Sequence, residues 1–139
     1  MILYLDTSSL VKLYIEEDQS TEVRRADKAA EIVATSKVAY PEAFSAFARK
    51  HRDGELNQTD LGKVCDALRD EWAMFAVIDI DEKRAGDLAV KHTLRGFDAV
   101  HLAAAVTVRT EIADVDVVFM SFDGRQTAAA LAEGFRVTA

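Results

Sequence analysis

Val117-Val118-Phe119-Met120 is a run of four apolar residues with no polar alternation, and Asp123 follows it closely. A strand that is apolar toward both sides must be covered on both faces, which is the situation inside a parallel sheet. The chain begins with a second such run, Ile2-Leu3-Tyr4-Leu5, which leads directly into Asp6. Between the two, short apolar stretches alternate with stretches of helical period. Strands are expected at Ile2–Asp6, Glu31–Thr35, Ala76–Ile80 and Val117–Ser121, with Phe135–Thr138 as a candidate fifth. This rhythm predicts an α/β fold: a three-layer α/β/α sandwich around a four- to five-stranded parallel sheet.

Start and stop signals place the helices. Ser8 or Ser9 can cap a short helix through Tyr14, and Ser20 one that runs to Ala30. Pro41 suits the first turn of a helix that continues to Asp53 and stops at Gly54. Asn57 or Thr59 opens an amphipathic helix with Leu61, Val64, Leu68 and Trp72 inward, and Asp81 caps one from Glu82 to Leu94 that Gly96 ends. The segment Phe97 to Thr110 is apolar almost all round, so it is expected to be buried on most sides. A last helix spans Arg125 to Glu133, before Gly134.

With 139 residues, the chain is expected to form one domain, residues 1–139, with a substantial core. No apolar run approaches the roughly 20 residues of a membrane span. The start has no basic segment or small-residue cleavage site, and the single cysteine, Cys65, cannot form an internal disulfide. Cytoplasmic residence is therefore expected. Cys65 lies on a helix face with Leu61, Leu68 and Trp72, as a small packed thiol rather than a nucleophile. The net charge of -7 argues against nucleic-acid binding by the surface as a whole. Local basic clusters remain at Arg49-Lys50-His51-Arg52, Lys83-Arg84 and Lys91-His92 with Arg95.

Asp6, Glu42, Asp98 and Asp123 each stand at a strand end or a helix start. Each has a local explanation: Asp6 as a cap, Glu42 and Asp98 as partners of a helix dipole, Asp123 in an Asp-Gly turn. Gathered together they would repel, so a cation is expected among them. Carboxylates without histidine or cysteine ligands suit Mg²⁺ or Mn²⁺ better than zinc. Two such ions about 4 Å apart would bind and polarise a scissile phosphate and activate water. Thr7, Ser8 and Ser121 place hydroxyls beside these acids. His101, three residues after Asp98, can bond a carboxylate or a phosphate, and Arg95 can touch substrate or pair with an acid.

The pieces Tyr4-Leu5-Asp6-Thr7-Ser8-Ser9-Leu10-Val11-Lys12-Leu13-Tyr14, Tyr40-Pro41-Glu42-Ala43, Leu94-Arg95-Gly96-Phe97-Asp98-Ala99-Val100-His101-Leu102-Ala103-Ala104 and Met120-Ser121-Phe122-Asp123 resemble the PIN-domain nuclease family. The likeness is to the VapC-like toxins of type II toxin–antitoxin modules in particular. It implies a Mg²⁺- or Mn²⁺-dependent endoribonuclease. In that scheme Asp6 and Asp98 are direct metal ligands, Glu42 and Asp123 contribute through water, and Thr7 or Ser8 and Ser121 support them. It also implies a homodimer and a VapB-like antitoxin whose C-terminal segment enters the acidic pocket. RNA would then be gripped locally, by Arg49, Lys50, Arg52, Lys83, Lys91 or Arg95.

Three other readings compete. A haloacid-dehalogenase-like phosphatase would use Asp6 as nucleophile with a second Asp two residues later, where this chain has Ser8. A receiver-type signalling domain would need a Lys at the end of the last strand, which is missing, although Asp79 is available as acceptor. A non-catalytic module would use the acidic groove only to bind a basic peptide.

Overall fold

The computed structural model describes residues 1–138, arranged around a five-stranded, all-parallel sheet. Its strands are β1 (Ile2–Leu5), β2 (Ile32–Ser36), β3 (Ala76–Ile78), β4 (Val117–Met120) and β5 (Arg136–Thr138), in the order β3-β2-β1-β4-β5. The candidate fifth strand is therefore part of the sheet, at one edge. The helices are α1 (Thr7–Lys12), α2 (Ser20–Ala29), α3 (Ala39–Arg52), α4 (Gln58–Glu71), α5 (Glu82–His92), α6 (Gly96–Glu111) and α7 (Gly124–Ala132).

The two-residue period of a strand sorts side chains onto two cores. Ile2, Tyr4, Val117 and Phe119 pack with Leu88 of α5, Leu102 of α6 and Ala129 of α7. Leu3, Leu5, Val118 and Met120 pack on the other face with Leu10 of α1, Phe47 of α3 and Leu68 of α4. β1 and β4 are buried throughout, which is why neither alternates in sequence. Each large side chain buried this way stabilises the fold by about 1.5–3 kcal/mol.

This sorting also sets where a site can form. From β1 the chain builds through β2 to β3, with α1 to α4 on one face of the sheet. It then crosses to the other face through α5 and α6 and inserts β4 on the free side of β1. Connections leave β1 and β4 toward opposite faces, and a crevice opens beyond their carboxyl ends.

Several boundaries differ from expectation, each for a local reason. Of the cap candidates for α1, Asp6 rather than Ser8 or Ser9 takes the place, its Oδ1 accepting the Ser9 N–H at 3.0 Å, and the helix ends at Lys12 rather than Tyr14. Ser20 does not cap α2. Gln19 precedes that helix in a left-handed conformation (φ 71°), and the Ser20 hydroxyl donates to the Ile15 carbonyl at 2.9 Å, tying down the preceding turn. Helix α5 stops at His92 because Thr93 adopts φ 54°, which lets the Leu94 N–H reach the Ala89 carbonyl at 3.1 Å. Gly96 therefore opens α6 instead of ending α5. Asn57 and Asp81 cap α4 and α5 as expected. Leu68 is fully buried, while Leu61, Val64 and Trp72 are half-buried. Cys65 is half-buried too, and burial pushes its thiol up, away from thiolate chemistry. No helix among the described residues is long and apolar enough to cross a membrane.

Candidate active site

Four helix starts meet beyond β1 and β4, and each brings an acid. Asp6 and Asp123 are the N-caps of α1 and α7, and Glu42 and Asp98 lie in the first turns of α3 and α6. Their local and collective roles coincide, because unpaired N–H groups at helix starts favour negative charge.

Asp6 is the deepest of the four, only 3% exposed. Its Oδ1 accepts from Ser8 Oγ (2.7 Å), Ser9 N (3.0 Å) and Ser9 Oγ (2.7 Å), and its Oδ2 from Ser121 Oγ (2.6 Å). These donors compensate for removing a carboxylate from water. The single Ser9 hydroxyl hydrogen is shared between Asp6 Oδ1 and the Met120 carbonyl (2.6 Å), which ties the end of β4 to α1. Ser121 in turn accepts the Asp123 N–H (3.1 Å), so one hydroxyl connects two of the acids.

Glu42 anchors a second network. Thr7 Oγ1 donates to its Oε1 at 2.5 Å, and His101 Nε2 lies 3.1 Å from the same oxygen and 3.0 Å from Thr7 Oγ1. Burial raises the Glu42 carboxyl, but the His101 and Thr7 hydrogen bonds outweigh it and hold the group below its ordinary range. The carboxylate that His101 bonds is thus Glu42, not Asp98 on its own helix. Behind His101, its Nδ1 meets the Tyr4 hydroxyl at 2.8 Å. Burial first, then the Asp6 and Glu42 charges, raises the Tyr4 phenol well above its usual range, so it remains protonated.

Asp98 and Asp123 share a different partner. Arg95 Nε donates to Asp98 Oδ2 at 3.1 Å, and its Nη2 lies 3.5 Å from Asp123 Oδ2. At this rim the cation beside the acids is the Arg95 guanidinium. Burial raises Asp98, Arg95 draws it down, and Asp123 and Asp6 raise it again, leaving it above the usual aspartate value. Gln126 fixes the spacing of this pair: its backbone N–H donates to Asp123 Oδ1 (2.9 Å) and its side-chain Nε2 to the Asp98 carbonyl (2.9 Å).

Glu42 and Asp98, with Thr7 and Ser8, line a groove of about 1250 Å³. Lys12, Arg49, Lys50 and Arg95 supply its positive charge, and Phe97 and Phe122 its aromatic surface. Lys50 is tied to Glu17 at 2.7 Å, while Lys91 pairs with Glu133 on the far side of α5. The fold brings Asp6, Glu42, Asp98 and Asp123 to one end of the sheet with Thr7, Ser8, Ser121, Arg95 and His101, while Asp79 lies apart, paired with Lys37. Sequence reading missed Tyr4, Ser9 and Gln126 as members of these networks. Among the described residues no three His, Cys, Asp or Glu side chains stand close enough to enclose a metal ion.

Comparison with known proteins places this geometry in a lineage. The PIN-domain family model matches residues 3–131. Ribonuclease VapC49 of Mycobacterium tuberculosis is 34% identical over 139 residues, covering 98% of this chain and 94% of that protein. Two solved structures share the fold at 18% identity. A Pyrobaculum aerophilum protein superposes with a TM-score of 0.71 over 99% of this chain and 89% of its own. A toxin–antitoxin complex from Klebsiella pneumoniae gives 0.68 over 99% and 96%. With nearly its whole length matched by the family model and by a relative at this identity, the chain belongs to the PIN-domain family.

Proposed function

We propose that the chain is a Mg²⁺- or Mn²⁺-dependent endoribonuclease acting as the toxin of a toxin–antitoxin pair. The observation that carries this reading is the meeting of Asp6, Glu42, Asp98 and Asp123 at the β1–β4 crevice, in a chain 34% identical to a ribonuclease along nearly its full length. The donor set fits a hard divalent ion. Mg²⁺ takes one or two carboxylates and fills its remaining positions with water and substrate phosphate, so it needs no three-sided protein cage. Asp6 Oδ2 accepts one hydrogen bond and keeps a lone pair, and only the Oδ2 of Asp98 is engaged among the described residues. These two would hold the ion directly, with Glu42 and Asp123 acting through water.

A bound divalent ion supplies Lewis-acid polarisation of the phosphate and a lowered pKa for the attacking water. The chain's own groups do the rest. Ser8, Ser9 and Ser121 orient the Asp6 carboxylate. Glu42, held low by His101 and Thr7, remains a carboxylate able to accept a proton from water. Arg95 would compete with a divalent ion for Asp98 and Asp123, and a displaced guanidinium can meet a phosphate oxygen. Arg49 lines the groove with its guanidinium committed, among the described residues, only to Ser45 (3.2 Å), as a local grip for RNA on an acidic protein. The antitoxin would be a VapB-like partner, and an acidic pocket suits a basic side chain from it.

The purified protein is expected to cleave RNA with millimolar Mg²⁺ or Mn²⁺ and to stop when the metal is chelated. Cleavage that survives chelation would end the metal assignment. Release of phosphate from a phosphomonoester, lost in Asp6→Asn, would replace the nuclease reading with the phosphatase one.

A further inference from the structure

The hydrogen bonds behind Glu42 end on a residue that faces no groove. Tyr4, in the middle of β1, is fully buried on the α6 side of the sheet. Among the described residues it reaches the site through His101, itself 2% exposed. Counting hydrogens fixes the direction of this chain. Thr7 has one hydroxyl hydrogen and gives it to Glu42 Oε1, so the Thr7 oxygen accepts from His101 Nε2–H. The same N–H is shared with Glu42 Oε1. A neutral imidazole protonated at Nε2 carries a lone pair at Nδ1, and the Tyr4 hydroxyl is placed to donate to it.

We infer that Tyr4 is a positioning residue: by donating to His101 Nδ1 it orients the imidazole with its Nε2–H toward Thr7 and Glu42, and that ring clamps Thr7 and the Glu42 carboxylate at the mouth of the groove. The partner of one ring nitrogen commonly sets what the other can do. Its kinetic consequence rests on the ribonuclease reading; the hydrogen-bond pattern does not. The strand alternation explains why a core residue can act here. Tyr4 points toward α6 because Leu3 and Leu5 point away from it, and His101 is the polar residue of α6 that meets it. The Tyr4 ring has a packing role as well, stacked on Phe119 with centroids 5.3 Å apart. Tyr4→Phe keeps that ring and removes only the hydroxyl.

Two measurements on the purified chain test the assignment. In ¹⁵N–¹H correlation spectra of the imidazoles, without metal or RNA, His101 is expected to carry its proton on Nε2, with an acceptor-type Nδ1 resonance that shifts in Tyr4→Phe. A proton on Nδ1 near neutral pH, or an Nδ1 resonance indifferent to Tyr4→Phe, would overturn the proposal even in a protein that cleaves no RNA. In RNA cleavage, Tyr4→Phe is expected to lower kcat about tenfold with little change in KM. His101→Ala should cost more, and His101→Gln, which restores a side-chain N–H, should recover part of the loss. Adding Tyr4→Phe to His101→Ala should cost nothing further, because the hydroxyl acts through the ring. Additive losses, or a Tyr4→Phe loss confined to KM, would assign Tyr4 to general packing. A wild-type protein without ribonuclease activity would sink the nuclease reading and leave the spectra to decide the hydrogen bond.

Discussion

At Asp6 a carboxylate 3% exposed is met by uncharged donors from Ser8, Ser9 and Ser121; at Asp98, with a side chain 20% exposed, the partner is one guanidinium that is itself 78% exposed. Both arrangements offset a negative charge near a helix start, by different means. Hydroxyls and backbone N–H groups are fixed dipoles, set in place by the fold and insensitive to salt. An exposed arginine is a mobile charge that another cation can displace. The Asp6–Glu42 half of the groove is therefore built in, and the Asp98–Asp123 half is exchangeable.

The sharpest way to break this comparison is to remove one acid from each half. Asp98→Asn should lower RNA cleavage at least about 100-fold, since a metal ligand supplies several kcal/mol of transition-state stabilisation. Its melting temperature should not fall. Asp6→Ala should also abolish cleavage, but in addition it strands buried donors of Ser9 and Ser121 and should lower stability by about 3 kcal/mol in urea denaturation. Equal stability losses in the two variants would mean that the halves are not different in kind.

A smaller effect, of opposite sign in the two halves, should appear on titration. Asp98 is raised by burial against the pull of Arg95, so folding favours its protonated form. That contribution is present below the unfolded value near about pH 4 and is lost as pH rises through the folded value. Glu42 is held low by His101 and Thr7 against the effect of burial. Its contribution is present above about pH 4.3 and is lost as pH falls through the lowered value. Relative to wild type, Asp98→Asn should therefore gain melting temperature as pH rises from about 4 toward neutrality. Glu42→Gln should lose it in the neutral range and rejoin wild type in acid. Parallel curves for the two variants would contradict the assigned directions.

What could be read from the chain follows the same division. The continuous apolar runs at Ile2–Leu5 and Val117–Met120 revealed β1 and β4, and so where Asp6 and Asp123 meet. The acids were legible because each follows a strand or opens an apolar helix. Their partners were not. Tyr4 and His101 are 97 residues apart, and their contact depends on the phase of a helix against a strand, which no local pattern encodes. Gln126 looks like a surface glutamine in Arg125-Gln126-Thr127, yet it is fully buried because α7 turns it toward the Asp98 carbonyl. The misplaced starts of α2 and α6 have a common cause. Gln19 and Thr93 take left-handed conformations that glycine or asparagine usually signals, so these turns carried no mark in the sequence.

The smallest effect isolates the exchangeable half most cleanly. Arg95 pairs with Asp98 and Asp123 in open solvent, where ion pairs add little to stability. Arg95→Ala should accordingly leave the melting temperature in metal-free buffer unchanged. Its consequence lies in competition. A guanidinium beside both carboxylates repels a divalent ion, and a single and a double positive charge about 4 Å apart in water oppose each other by roughly a factor of thirty in affinity. Calorimetric titration with Mn²⁺ should thus show tighter binding to Arg95→Ala by about that factor at low ionic strength, with the advantage fading in molar salt as the Debye length contracts to about 3 Å. Unchanged or weaker Mn²⁺ binding at low salt would mean that Arg95 does not stand in for the metal. It would then belong, like the hydroxyls around Asp6, to the fixed part of the groove.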